Sequence, residues 1–194
     1  MASVALKMPT FDDLYAEIEA MAPGLTAEIL EPGEIRTMSR PGGKHSYSTQ
    51  RILRALRGHN LIDGGLGWWL EIEREIRFAE RLYVPDLSGW RVDAPPTFVD
   101  DNPILVPPDW ACEILSRTTQ RGDRAVKLPR YAVEGVAHVW VVDPTAETIE
   151  VYETVTGRPL LVASARGHQT LVLPPFDGPI DVGTLWKAPP PEAR

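Results

Sequence analysis

The sequence predicts an α/β fold in which helices flank a mixed central sheet and antiparallel strands extend it. Apolar runs bounded by proline and glycine, typical of buried strands, occupy the middle of the chain, and one helical segment separates the last two of them. Alternating runs follow towards the C-terminus. The 194 residues, 43% of them hydrophobic, suffice for one core. We therefore expect one domain over residues 1–194, with its core over about 11–152.

The first part of the chain is predicted to form two helices with a hairpin between them. Thr10 is a favoured N-cap residue for a helix over residues 10–21. Residues 25–38 have the pattern of a hairpin that turns at Glu31-Pro32-Gly33-Glu34. A loose apolar stripe predicts a second helix over residues 44–57.

The central region is predicted to contain strands and a crossover helix. The extended segments are 68–78, 82–92, 109–115 and 138–142, with a proline-rich loop over 94–108. Residues 119–133 have a helical pattern in which Pro129 should kink or shorten one turn. This helix is expected to make a right-handed crossover between the last two strands. Segments 149–152, 160–163 and 170–173 are typical of an antiparallel tail, and 189–191 of a frayed end.

Composition excludes several classes of protein. No apolar run approaches the roughly 20 residues needed to span a bilayer, so we expect no membrane partner. Residues 1–9 lack the apolar stretch of a secretory signal. Cys112 stands alone, which excludes an internal disulfide and a multi-cysteine zinc site and fits a reducing, cytoplasmic location.

The net charge of −7 argues against extensive contact with nucleic acid, because phosphates are bound by lysine and arginine. The cations are nevertheless clustered, within residues 36–57 and again within 117–130. Two interpretations remain open for each cluster. It forms a local basic patch on an acidic protein, or it forms a solvated helix face.

Two acidic residues are the first candidates for a functional site. Asp86 directly follows Pro85 in a predicted strand, and proline favours strand ends where a side chain can face a cleft. Glu113 lies inside the apolar run 110–115, where a carboxylate is costly to bury without a partner or a metal. A metal held by both would also accept a backbone carbonyl, most naturally that of Ile114. The alternatives are a turn aspartate and an ion pair with an arginine.

Lys127 is the third candidate, fourteen positions after Glu113 on the predicted crossover helix. A helix packed on the sheet could direct this lysine at a phosphate near the metal. The alternative is a surface ion pair with Asp123, since the two residues are spaced i and i+4. Another acidic row, Glu71, Glu73 and Glu75, alternates along 68–78 and has the pattern of a solvated strand edge more than that of a metal site.

An ordered series of short motifs accompanies these residues. The series is Val84-Pro85-Asp86, Pro108-Asp109, Glu113-Ile114-Leu115-Ser116, Asp123, Lys127, Tyr131, Gly135-Val136 and Trp140-Val141-Val142-Asp143-Pro144. It resembles the Uma-two family of putative restriction endonucleases, within the PD-(D/E)XK nuclease superfamily. Ala27-Glu28-Ile29, Gly33-Glu34 and His45 are similar to the family's opening hairpin and helix. The resemblance covers roughly residues 11–152.

The resemblance implies a restriction-endonuclease-like fold and Mg²⁺-dependent hydrolysis of DNA phosphodiesters, with Mn²⁺ as a substitute. Asp86 and Glu113 would be metal ligands, and Lys127 would position water and stabilise the pentavalent phosphate. Glu28 would be an additional acidic group near the metal. His45 and Tyr131 either contact phosphate or merely pack. Alanine at Asp86, Glu113 or Lys127 is expected to abolish cleavage with little loss of folding.

The chain also departs from the patterns of the superfamily and the family. The superfamily places the second acid and the lysine on one strand as E-x-K, whereas Leu115 stands two residues after Glu113. Arg117 stands where the family has proline, and Ala137-His138-Val139-Trp140 replaces Pro-Glu-Tyr-Trp. Two other functions therefore stay open: a catalytically silent DNA- or protein-binding module that keeps the fold, and a structural homodimer subunit.

Overall fold

The computed structural model describes residues 8–38, 42–116 and 123–186. The α-helices are α1 (Phe11–Glu19), α2 (Gly43–Leu56) and α3 (Leu128–Val133). The strands before the crossover are β1 (Thr26–Glu31), β2 (Glu34–Met38), β3 (Trp68–Ile72), β4 (Ile76–Phe78), β5 (Arg81–Tyr83), β6 (Leu87–Arg91) and β7 (Trp110–Ile114). Those after it are β8 (His138–Asp143), β9 (Thr148–Val155), β10 (Arg158–Arg166), β11 (Thr170–Val172) and β12 (Pro179–Asp181).

A six-stranded sheet in the order β10-β9-β8-β7-β6-β3 forms the centre of the fold. The β7–β8 pair is parallel, and every other pair in this sheet is antiparallel. A four-stranded sheet, β2-β1-β5-β4, and a two-stranded sheet, β11-β12, complete the strands. The predicted α/β class with a mixed central sheet is confirmed.

All five residues of β7 are buried because both faces of the central sheet are covered. On one face Cys112 and Ile114 pack with Ile52 and Leu56 of α2. On the other face Ala111 packs with Tyr131 of α3. A carboxylate on this strand therefore lies between two apolar layers, as the apolar run around Glu113 predicted.

The N-terminal elements follow their sequence signals closely. Thr10 caps α1, where its Oγ1 accepts a hydrogen bond from Asp13 N at 3.2 Å and its own N–H donates to Asp13 Oδ2 at 2.9 Å. This reciprocal pair satisfies two backbone donors of the helix end. The predicted hairpin is β1 and β2, and the predicted second helix is α2.

Two predicted long strands are each broken into two. Residues 68–78 divide into β3 of the central sheet and β4 of the four-stranded sheet, and Glu73 between them has a φ of 49°. Residues 82–92 divide at Pro85 into β5 and β6. Asp86 therefore lies in the bend between two strands and not within one strand, as was predicted.

The prediction that Glu71, Glu73 and Glu75 form a solvated row on one strand is also wrong, because β3 ends before Glu73. Trp69 Nε1 donates to Glu71 Oε1 at 2.7 Å. Tyr15 Oη donates to Glu75 Oε2 at 2.7 Å. Two of the three acids therefore have aromatic hydrogen-bond partners inside the fold.

The crossover segment is partly as predicted. Residues 119–122 of the predicted helix lie outside the described residues. A π-helical turn, Asp123–Lys127, precedes α3, and Pro129 occupies the first turn of α3. Proline is tolerated there because the first-turn N–H groups have no intrahelical partner. The predicted disturbance at Pro129 takes the form of this change from π to α geometry.

The C-terminal tail is antiparallel, with β9 paired to β10 and β11 to β12. The strand β12 was not predicted, and residues 189–191 lie outside the described part of the chain. Among the helices that the structure describes, none is long and apolar enough to cross a membrane.

Gly89 allows the central sheet to pack closely, because a Cβ at this position would lie 2.7 Å from Leu70 Cδ2 and 3.1 Å from Trp110 Cε3. We expect Gly89→Ala to lower the free energy of unfolding by about 1–3 kcal/mol through overpacking. Gly58→Ala is the matched control, since no atom of the described residues lies within 4 Å of its added Cβ. Urea denaturation of both variants checks this, and equal stability of the two would contradict the packing described.

Candidate active site

A buried lysine joins two buried glutamates at the centre of the molecule. Lys127 Nζ lies 2.9 Å from Glu28 Oε1 and 3.1 Å from Glu113 Oε2. The exposed fractions are 3% for Lys127, 1% for Glu28 and 3% for Glu113. The alternative of a surface lysine is therefore wrong. The Asp123 side chain lies outside the described part of the structure.

These three side chains come from three different parts of the fold. Glu28 lies on β1 of the four-stranded sheet, Glu113 on β7 of the central sheet, and Lys127 at the end of the π-helical turn. Glu28 Oε1 also accepts a hydrogen bond from Val84 N at 2.9 Å. Because Val84 lies in the segment that leads from β5 to β6, this bond fixes the connection between the two sheets.

Tyr131 completes the surroundings of Glu113. The Tyr131 hydroxyl donates to Glu113 Oε1 at 2.5 Å. Tyr131 follows Lys127 by four residues, about one helical turn, and both side chains contact Glu113. Burial, and then the charges of Glu113 and Glu28, raise the pKa of Tyr131 well above its ordinary value. The phenol therefore stays protonated near neutral pH and acts as a donor that orients Glu113.

Asp86 lies where the pairing of β6 with β7 stops. The last pair of this antiparallel register is Leu87 with Cys112, and these two residues are next in sequence to Asp86 and Glu113. The pairing ends there, and Asp86 Oδ2 accepts the hydrogen bond of Ile114 N at 2.5 Å. His45 of α2 lies on the other carboxylate oxygen, with Nε2 2.9 Å from Oδ1.

The structure thus brings together the residues that the sequence singled out. Asp86 binds the N–H of Ile114, the residue after Glu113, and Lys127 contacts Glu113 and Glu28. His45 and Tyr131, which were expected either to contact phosphate or to pack, each contact one of the acids. Among the described residues, Glu113 contacts Lys127 and Tyr131.

Sequence reasoning missed the backbone contribution to the site. The N–H groups of Val84 and Ile114 bind Glu28 and Asp86, respectively. Both groups lie at strand ends, where ladder pairing stops and leaves donors for side chains. The only available signal was Pro85, which marks the end of β5.

Cys112 takes no part in this cluster. Its side chain packs on the opposite face of the central sheet, with Leu87 and Trp140. Burial, followed by the charges of Asp86 and Glu113, raises the pKa of its thiol well above the ordinary value. A protonated, buried thiol is a poor nucleophile, so Cys112 serves as a small buried apolar residue.

The donor set fits a hard divalent cation such as Mg²⁺. Three carboxylates, of Glu28, Asp86 and Glu113, against the single Lys127 ammonium leave this group a formal charge of −2 when His45 is neutral. Within the described residues no three His, Cys, Asp or Glu side chains form a group that could hold a metal by themselves. Mg²⁺, however, is commonly bound by one or two carboxylates together with waters and substrate phosphates.

The backbone of Ile114 fits the same site. Leu115 N donates to Val142 O on the β8 side, so the N–H of Ile114 faces the β6 side, towards Asp86. In an antiparallel ladder the N–H and C=O of one residue face the same neighbour. The carbonyl of Ile114 is accordingly directed to the side where Asp86 lies, as its predicted role as a ligand requires.

Comparisons with known proteins agree on a nuclease fold. The Uma2 family model, described as "Putative restriction endonuclease", matches residues 10–179. The crystal structure of a putative nuclease belonging to DUF820, from Anabaena variabilis ATCC 29413, is similar with a TM-score of 0.72 and 19% sequence identity. The match covers 92% of this chain and 97% of that chain, and at this identity it shows the fold alone. A search of curated proteins gave no match.

Loss of the Lys127 charge should lower the stability of the protein as well as its activity. We expect Lys127→Met to lower the free energy of unfolding by about 3–5 kcal/mol, because two buried carboxylates lose their counter-charge. The burial of Lys127 and Glu113 thus changes the expectation that their replacement leaves folding almost intact. Urea denaturation monitored by tryptophan fluorescence measures the effect.

Two further variants control this experiment. Lys44→Met removes an exposed lysine and should change stability by no more than about 0.5 kcal/mol. Adding Glu28→Gln to Lys127→Met should restore part of the loss, since one buried carboxylate is then neutral. If Lys127→Met were as stable as the wild-type protein, the charges of Lys127, Glu28 and Glu113 could not be desolvated in the folded state.

Proposed function

Because the chain belongs to the Uma2 family of restriction-endonuclease-like proteins, we propose that it is a Mg²⁺-dependent endonuclease that hydrolyses DNA phosphodiester bonds. One observation carries the proposal: the Lys127 ammonium lies 3.1 Å from Glu113, and Asp86 binds the N–H of Ile114, the residue that follows Glu113. Two acids and a cation are the groups that hydrolysis of a phosphodiester needs in one place.

Asp86 and Glu113, with the carbonyl of Ile114, are the proposed ligands of the metal. Bound there, Mg²⁺, or Mn²⁺ in its place, would polarise a phosphoryl oxygen as a Lewis acid. His45 and Tyr131 are positioning residues, since each holds one carboxylate by a contact of 2.9 Å and 2.5 Å, respectively. These contacts hold the carboxylates of Asp86 and Glu113 in fixed orientations.

Lys127 is the proposed electrostatic catalyst. In-line attack of water builds negative charge on the pentavalent phosphate, and a fixed ammonium offsets that charge most strongly where water is excluded. Glu28 positions this ammonium by a contact of 2.9 Å. This contact supports a role for Glu28 as the anchor of Lys127 rather than the role near the metal that the resemblance implied.

The spatial position of Lys127 also bears on the silent binding module, the second function. Leu115 occupies the place of the strand lysine, which favours a silent module if no other cation reaches Glu113. Lys127 Nζ reaches both oxygens of Glu113, at 3.1 and 3.2 Å. A cation from the crossover segment can therefore take the place of the missing strand lysine, and the nuclease is the better supported function.

Asp86→Asn should abolish cleavage while leaving the fold intact, because the amide oxygen can still accept the Ile114 N–H bond. We expect at least about a 100-fold loss of plasmid cleavage in Mg²⁺, the usual cost of removing a group that stabilises transition-state charge. Glu71→Gln is the matched control, since this acid lies on the same sheet but bonds to Trp69. Cleavage by Asp86→Asn at the wild-type rate, with an unchanged melting temperature, would contradict the assignment.

Calorimetric titration with Mn²⁺ separates the nuclease from the silent module. The wild-type protein should bind Mn²⁺ with a millimolar or lower Kd, and Asp86→Asn should bind it at least about tenfold more weakly because one ligand charge is lost. Glu71→Gln should bind as the wild type does. Absence of millimolar binding to the wild-type protein would favour the silent module.

A further inference from the structure

A cavity of about 210 Å³ lies at the N-terminal end of α2. It is lined by Gly43, Lys44, Tyr47, Ser48, Pro144 and Trp186, which we call the α2 cavity. The volume is below the roughly 300 Å³ at which pockets for whole drug-sized ligands begin. It suits one planar ring.

Two residues that line the α2 cavity are close in sequence to residues that contact or pair with the acidic cluster. Lys44 directly precedes His45, whose ring contacts Asp86 at 2.9 Å. Pro144 directly follows β8, in which Val142 is the register partner of Ile114. Since Ile114 N binds Asp86, the walls of the cavity connect to Asp86 through both α2 and the central sheet.

The lining is held in place before any ligand binds. Trp186 Nε1 donates to Gly167 O at 3.1 Å, which fixes the orientation of the indole ring. Ser48 Oγ donates to Leu185 O at 3.3 Å and thereby ties α2 to the segment that carries Trp186. Tyr47 and Pro144 add two more rings to the walls.

The helix that supplies four of the lining residues is basic. α2 contains Lys44, Arg51 and Arg54 and no Asp or Glu, on a chain whose net charge is −7. Lys44 is exposed, so its ammonium is available to a ligand at the rim. Aromatic rings beside a cation are the groups that bind single-stranded nucleic acid, through base stacking and phosphate contact.

We propose that the α2 cavity receives one unstacked nucleobase of the DNA strand, beside the phosphodiester that is cleaved. Tyr47 and Trp186 contact the base, and Lys44 contacts an adjoining phosphate. A base within an intact duplex is stacked and paired, so it enters the cavity only from single-stranded or locally opened DNA. The inference rests on the proposed nuclease function for the position of the cleaved bond, and it predicts a preference for unpaired nucleotides.

The test compares two fluorescein-labelled oligonucleotides of equal length and charge, one of thymidines and one made of abasic residues, by fluorescence anisotropy in EDTA. We expect the full chain to bind the thymidine strand at least about tenfold more tightly, because only it can stack. Trp186→Leu should bring the ratio of the two Kd values, abasic strand to thymidine strand, close to one. If that variant fails to fold, Tyr47→Leu gives the same measurement, and Arg54→Gln, outside the lining, should leave the ratio unchanged.

Loss of Lys44 should affect binding differently from loss of the aromatic rings. Lys44→Gln should weaken binding of both strands equally and lower the slope of log Kd against log salt concentration by about one, since one phosphate contact is lost. Equal binding of thymidine and abasic strands by the wild-type protein would overturn the proposal. So would a ratio that neither Trp186→Leu nor Tyr47→Leu changes.

The outcome is independent of the catalytic assignment. Binding is measured without divalent ions, so an inactive protein can still discriminate bases. A protein that cleaves DNA but binds both strands equally would overturn the α2 cavity inference and leave the nuclease proposal standing.

Discussion

The structure depends on one buried charge, the Lys127 ammonium held between Glu28 and Glu113. Removing such ions from water costs several kcal/mol for each of them, so the arrangement persists only with good geometry and further hydrogen bonds. Val84 N and the Tyr131 hydroxyl supply those bonds, at 2.9 and 2.5 Å. A cluster optimised for stability alone would be apolar, and an ionic one at this depth is typical of a functional site.

The same charge connects the two larger sheets. Glu28 belongs to the four-stranded sheet and Glu113 to the central sheet, and Lys127 reaches both from the turn before α3. The Val84 bond to Glu28 fixes the passage of the chain from one sheet to the other. The candidate site therefore forms only when the sheets are docked, which links folding to chemistry.

Much of the site could be predicted from the sequence because ionisable residues in apolar runs are conspicuous. Glu113 was found in this way, and its neighbours Cys112 and Ile114 are buried as expected. The same signal surrounds Glu28, between Ala27 and Ile29, although only the family resemblance drew attention to it. Lys127 was harder to interpret, because its spacing from Asp123 also suits a surface pair and burial depends on how the helix packs.

The strand breaks could not be predicted in the same way. Alternation continues through residues 68–78, and no glycine or proline marks the turn where Glu73 adopts a φ of 49°. A non-glycine residue in this region is sustained by tertiary contacts, which a local pattern does not contain. The π-helical turn that precedes α3 is similar, since Pro129 marks a disturbance without specifying its form.

NMR spectroscopy of the lysine ammonium groups tests the central interaction most directly. The chain has four lysines, so the ¹⁵N spectrum is simple to assign. We expect one ammonium signal to persist above pH 8, where exposed amines exchange their protons too fast to be seen, and to shift in both Glu28→Gln and Glu113→Gln. Loss of all four signals at the same pH, or a persistent signal that neither substitution moves, would contradict a Lys127 charge shared between the two acids.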